Sequence, residues 1–122
     1  MQKTKILIVD DSPQTRKSLR NILEKNNYEV VGEASSGIEA IKQYNLLSPD
    51  IIMLDIIMPQ FGGLETLRML HSLNKDLKII MVSALDSMDR VKECLKAGAN
   101  DYLFKPFEEE KVLDIINKVL GK

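Results

Sequence analysis

The chain has one cysteine in 122 residues, so no intramolecular disulfide can form and the fold must hold by packing. Cys94 lies in VKECLKAGA, which has the spacing of an amphipathic helix close to the core, where a cysteine acts as a small apolar filler. No apolar run approaches the roughly 18 residues that a membrane-spanning helix needs. The start, MQKTKILIVDD, lacks the longer apolar segment and the small-residue cleavage site of a secretory signal. The location expected from these absences is cytoplasmic. Basic residues number 17 and acidic residues 18, interspersed along the chain, which excludes a basic stripe for nucleic acid and an acidic tail. Linker-like runs of Gly, Ser or Pro, low-complexity stretches and solenoid repeats are missing too. The length sits near the common domain size, and a single domain over residues 1–122 is expected, with no effector segment attached.

What the sequence does contain is an alternation of short apolar runs with longer periodic ones, the pattern of strand-helix units around a mostly parallel sheet. KILIV reads as the first strand, followed by a helix over residues 13–26 with Ser12 placed to cap it, Pro13 at its first position, and Leu19, Ile22 and Leu23 on one face. YEVVGEA is the second strand. The second helix covers about residues 37–47, with Ile38, Ile41 and Leu46 among its apolar positions. PDIIMLD is apolar on both faces, as a central parallel strand should be. A loop from Pro59 to Gly63 leads to a third helix near 64–73, then LKIIMVSA supplies the fourth strand. A fourth helix near 87–97 stops at Gly98, before the short strand DYLF, KPF, and a last helix with Val112, Ile115, Ile116 and Val119 at core spacing. The six methionines read as core filling, and the lone histidine, His71, as a surface residue among polar neighbours.

Open parallel sheets bind ligands beyond the carboxyl ends of their strands, where the strand order reverses. The first strand runs into Asp10 and Asp11, the third ends in Asp55, the fourth in Ser83 and Ala84, and the fifth leads to Lys105 and Pro106. Taken singly, each has an ordinary explanation: an Asp pair as a turn or helix cap, Ser83 as a turn residue, Lys105 as a solvated charge. Their placement on four strand ends of one sheet edge is what makes the set specific. Two adjacent carboxylates at the mouth of an apolar core demand a cation. Three hard oxygen donors suit Mg²⁺, which keeps several waters and accepts phosphoryl oxygens. A hydroxyl and an ammonium suit a phosphoryl group, and a carboxylate such as Asp55 can carry that group as an acyl phosphate.

With those residues in place, the motifs ILIVDDS, GEASSGIEA, DIIMLDIIMPQFGG, IIMVSA and GANDYLFKPF resemble, in order and spacing, the receiver domain of two-component response regulators over essentially the whole length. The stand-alone chemotaxis type is the most similar. The resemblance implies a flavodoxin-like α/β fold, a (βα)5 three-layer sandwich with a five-stranded parallel sheet in the order 2-1-3-4-5. It implies that Asp55 accepts a phosphoryl group from the phosphohistidine of a sensor histidine kinase. Asp11 would ligate Mg²⁺ (or Mn²⁺) directly, Asp10 mainly through water, and Asp55 and the backbone carbonyl of Ile57 would complete the protein's ligands. Lys105 and Ser83 would contact the phosphoryl oxygens, and a cis peptide would precede Pro106. Ser83 and Tyr102 would form the switch that remodels the face of the fourth helix, fifth strand and fifth helix. The implied partners are the kinase, a phosphatase, and an output protein such as a flagellar motor switch component, with no nucleic acid or membrane. A relay to another protein's histidine, or a fragment of a larger regulator, would use the same site.

Two departures from the family pattern stand out. Gly62 replaces the Asp or Asn usual before Gly63 and removes a stronger cap. Ile57 and Leu85 are apolar where polar groups could orient a hydrolytic water, so slow self-dephosphorylation without turnover of an external substrate is expected. A flavodoxin-like cofactor binder is disfavoured because DDSPQT offers two negative charges to a phosphate. A phosphatase with an Asp nucleophile would resemble DxD on its first strand, and a phosphorylation-independent receiver would lack some of the charged positions kept here.

Overall fold

The structure, a computed structural model, describes residues 3–58, 61–84 and 88–122. Pro59, Gln60, Leu85 and the expected first residue of the fourth helix, Ser87, lie outside the described residues. Strands and helices alternate strictly: β1 (Lys5–Val9), α1 (Pro13–Lys25), β2 (Glu29–Ala34), α2 (Gly37–Leu47), β3 (Ile51–Asp55), α3 (Gly63–Leu73), β4 (Lys78–Ala84), α4 (Met88–Lys96), β5 (Asp101–Lys105) and α5 (Glu109–Val119). All four strand pairings are parallel and the order is β2-β1-β3-β4-β5. This is the flavodoxin-like order, whose reversal between β1 and β3 opens the crevice where such folds hold ligands.

Alternation along the strands sends side chains to two separate cores. Leu7, Val9, Ile52, Leu54, Ile79 and Met81 pack with Ala40 of α2, Leu67 and Leu70 of α3, and Val91 and Cys94 of α4. Ile6, Ile8, Ile51, Met53, Ile80 and Val82 pack with Leu19 and Leu23 of α1 and Val112, Ile115 and Ile116 of α5. The result is three layers, and β3, covered on both faces, is buried at every position, as its unbroken apolar run requires.

Three expectations are corrected. In α2, Ile38 and Leu46 are exposed: the face turned to the sheet is Gly37, Ala40, Ile41 and Tyr44, at helical spacing, and Leu46 falls on the opposite side. Met69 and Met88 are exposed as well, so the methionines do not all fill the core. His71 is half-buried, its ring packed where a Cβ on Gly98 would sit. Gly98 adopts φ +116 to end α4, so glycine there meets both a backbone and a space requirement. Among the described residues, no helix is long and apolar enough to cross a membrane.

Candidate functional site

The apolar run of β1 ends at Asp10, which is 1% exposed. Its amide donates to the Ala34 carbonyl on β2 at 3.0 Å, and its Oδ1 accepts from the Ser12 amide at 2.9 Å. Ser12 in turn caps α1, its hydroxyl accepting from the Thr15 amide at 3.3 Å, with Pro13 opening the helix. Asp11 is exposed. On the neighbouring strand β3, Asp55 is 5% exposed, and its Oδ1 accepts from the Ile57 amide at 3.3 Å. Carboxylate oxygens of Asp10, Asp11 and Asp55 lie within 4.8 Å of one another.

Among the described residues, one cation reaches this group. Lys105, at the end of β5, places Nζ 2.9 Å from Asp10 Oδ2 and 3.7 Å from Asp55 Oδ2. Asp10 Oδ2 is buried and accepts no aligned hydrogen bond, so the ammonium meets it as a charge and not along a bonding direction. Three carboxylates against one ammonium leave the site too negative. Asp55 registers the excess: burial and the Asp10 carboxylate push its acid dissociation up to about 7, against a smaller opposing pull from Lys105. The peptide before Pro106 is cis.

Ser83 is buried at the end of β4, and its hydroxyl donates to the Ala84 carbonyl at 3.0 Å. Among the described residues that backbone oxygen, and not the Asp55 carboxylate, is its hydrogen-bond partner. Tyr102 is half-buried on β5 beside Phe104, ring centroids 5.0 Å apart. Together they line a cavity of about 590 Å³ between β5 and α5. Neither Cys94 nor His71 belongs to the cluster. Cys94 is fully buried, and burial pushes its thiol up to about 11, leaving it inert at neutral pH.

Sequence reading missed the support behind Asp10. Arg16 on α1 donates through a terminal nitrogen to the Asp10 carbonyl at 2.6 Å and through Nε to Glu33 at 2.9 Å. Arg20 donates to the other Glu33 oxygen at 2.7 Å. The only signal in the sequence was a pair of arginines four residues apart beside a strand with one acidic residue in its interior.

Residues 6–117 match the response regulator receiver domain family, and the chain belongs to it. It is 41% identical to the chemotaxis protein CheY of Thermotoga maritima over 115 residues, covering 94% of this chain and 96% of that one. It is 40% identical to CheY of Bacillus subtilis over 117 residues, covering 96% and 98% respectively. It is similar to the crystal structure of a CheX-CheY-BeF3-Mg²⁺ complex from Borrelia burgdorferi, with a TM-score of 0.92 and 36% identity over 97% of this chain and 90% of that chain. The protein is a receiver domain of the CheY-like type, a class of signalling proteins and not of substrate-turnover enzymes.

The residues present fit Mg²⁺. Three carboxylate donors converge, one of their buried oxygens lacks an aligned hydrogen bond, and the uncompensated charge matches a hard dication that keeps part of its water shell.

Proposed function

We propose that this chain is a stand-alone, single-domain response regulator over residues 1–122 that acts in the cytoplasm and takes a phosphoryl group onto Asp55 from a sensor histidine kinase. The observation that carries this reading is Asp55 itself, a buried carboxylate beside Asp10, Asp11 and Lys105 whose proton affinity is raised by burial and, after it, by the Asp10 carboxylate. An oxygen of Asp55 attacks the phosphorus of a phosphohistidine. The P–N bond breaks, the electron pair returns to the imidazole, which takes up a proton, and the phosphoryl remains on Asp55 as an acyl phosphate. Asp11 and Asp10, with Asp55 and the Ile57 carbonyl, would hold Mg²⁺, or Mn²⁺ in its place. The metal would supply charge stabilisation to the phosphoryl oxygens. Lys105 releases Asp10 to pair with those oxygens, and the Ser83 hydroxyl turns from the Ala84 carbonyl toward them.

Movement of Ser83 opens room beside β5 into which Tyr102 turns, which changes the face of α4, β5 and α5. A partner that binds this face in one state better than in the other reads the signal. The similarity to chemotaxis proteins points to a flagellar motor switch component as that partner, and to a phosphatase that ends the signal. The Ile57 side chain is apolar and half exposed. It offers nothing to orient an attacking water, so loss of the phosphoryl is slow.

Intact-mass spectrometry after incubation with acetyl phosphate tests the reading. A gain of one phosphoryl group that needs Mg²⁺, is absent in Asp55→Asn, and persists after the donor is removed supports it. No gain with any donor overturns it.

A further inference from the structure

Asp11 has a peculiarity for a residue assigned to a metal: among the described residues its carboxylate makes no hydrogen bond and no ion pair. Its aim must therefore come from the backbone. The residue before it, Asp10, is tied to β2 through both of its backbone polar groups. On one side the Asp10 amide donates to the Ala34 carbonyl at 3.0 Å. On the other the Asp10 carbonyl accepts from Arg16 at 2.6 Å, and Arg16 is itself held by Glu33 at 2.9 Å.

Glu33 reaches α1 because of an irregularity in the sheet. Lys5 and Ile6 pair with Glu29 and Val30, but Leu7 pairs with Gly32, so Val31 is an extra residue. A regular register would turn residue 33 toward α2. With the bulge, Glu33 lies opposite Ile8, on the α1 side, where Arg16 and Arg20 meet it. Bulges in parallel pairs are uncommon and re-aim side chains. Here the side chain so aimed completes a closed set of charges: Arg16 and Arg20 against Glu33 and Glu24, the last 3.0 Å from Arg20. The set is neutral. A lone guanidinium this close to a cation site would repel the cation, whereas a balanced one can hold the peptide without that penalty.

We propose that Arg16 and Glu33 form a positioning clamp on the Asp10–Asp11 peptide that aims the Asp11 carboxylate for Mg²⁺, and that the bulge at Val31 exists to bring Glu33 into it. The clamp rests on the reading of Asp10, Asp11 and Asp55 as the Mg²⁺ site. Arg16 and Glu33 are positioning residues, since neither belongs to the carboxylate cluster that would hold the ion.

Backbone-amide NMR titration with Mg²⁺, alongside urea denaturation without it, tests the clamp on the wild type, Arg16→Lys, Glu33→Gln and the exposed control Lys17→Gln. Arg16→Lys keeps the charge but cannot bridge a carboxylate and a carbonyl with a planar fork, and should bind Mg²⁺ about tenfold more weakly, the lower end for residues that support ligands. Glu33→Gln keeps the shape but leaves the guanidiniums unbalanced. Its affinity should fall by a similar factor, and that loss should shrink as salt is raised, while the Arg16→Lys loss should not. Lys17→Gln should match the wild type. A merely structural role would shift the urea midpoint and leave Mg²⁺ affinity unchanged in both variants, which overturns the clamp alone. A wild type with no Mg²⁺-dependent shifts at Asp10, Asp11 and Ile57 overturns the metal site and the clamp with it.

Discussion

The turns after β1 and β3 lie side by side on one edge of the sheet, and each begins with a buried aspartate, but they are held differently. After β1, Asp10 is fixed through its amide, its carbonyl and Oδ1, with Lys105 close to Oδ2, and Ser12 closes α1 with a side-chain cap. After β3, Asp55 accepts one long bond from Ile57 and sits 3.7 Å from Lys105, and α3 begins at Gly62 without a side-chain cap. The first turn is a fixture; the second keeps a carboxylate whose lone pairs are largely unclaimed. The asymmetry suits the transfer proposed for Asp55, because hydrogen bonds that stabilise a carboxylate also blunt it as a nucleophile.

The largest way to test the contrast is pH. Asp55 titrates near 7 in the fold and near 3.8 in the unfolded chain. Between those values the folded protein keeps a proton that the unfolded chain has lost, so stability falls as pH rises from about 4 to about 7 and levels above that. A tenfold difference in proton affinity corresponds to about 1.36 kcal/mol, which sets the fall at up to about 4 kcal/mol, and at about 3 kcal/mol once water at the open strand edge screens the charges. Glu33, where burial is outweighed by hydrogen bonds from Arg20 and Arg16, is held below its ordinary value and contributes the opposite slope. The difference between wild type and Asp55→Asn isolates Asp55. Urea denaturation across this range should show the variant more stable at pH 7 and equal at pH 4, with Mg²⁺ narrowing the gap. Parallel curves would mean that the turn after β3 is as well satisfied as the turn after β1.

Next in size is Lys105, the one cation shared by the two turns among the described residues. Lys105→Met leaves the 2%-exposed Asp10 side chain without its counter-charge and should destabilise the Mg²⁺-free protein by about 3 kcal/mol at pH 7. Saturating Mg²⁺ should recover much of that loss, since a dication can take over the neutralising role. A change of about 0.5 kcal/mol or less would class the pair with solvated surface bridges.

The sheet edge was readable from the sequence because strand ends are marked by composition: ILIV stops at Asp10, IIML at Asp55, and the fold then brings them together. The position of α3 followed from the Pro- and Gly-containing loop before it, and the buried character of β3 from its unbroken apolar run. What the sequence hid depends on register. Nothing in YEVVGEA reveals that Val31 is skipped in pairing, so nothing reveals that Glu33 faces the arginines of α1, 17 and 13 residues away in sequence. The same holds for α2, where small residues at Gly37 and Ala40 set the buried face and leave Ile38 and Leu46 outside it. Apolar identity predicts burial on average, whereas the closeness of a helix to a sheet edge decides it residue by residue.

The smallest effects come from the caps, and they bear on how differently the helices after the two aspartates begin. Removing the Ser12 hydroxyl with Ser12→Ala should cost about 1 kcal/mol, since the Thr15 amide loses its acceptor. Adding a cap on the other side should gain less. Gly62 has φ −74 and ψ 179, a conformation open to any residue, and a Cβ there would press on the end of the flexible Glu65 side chain and lie at an ordinary 3.8 Å from the Ile56 carbonyl oxygen. Gly62→Asn should therefore fit and raise stability by about 0.3 kcal/mol, because glycine is itself a fair N-cap. The two substitutions, compared by thermal unfolding, ask whether the turn after β3 is uncapped for lack of room or because a firm cap is unneeded. A stabilised Gly62→Asn says that room was available. A destabilised one says that Gly62, beside the 2.9 Å bond from the Gly63 amide to the Ile56 carbonyl, has no room to spare for a side chain, and that lack of room is what leaves α3 without a side-chain cap.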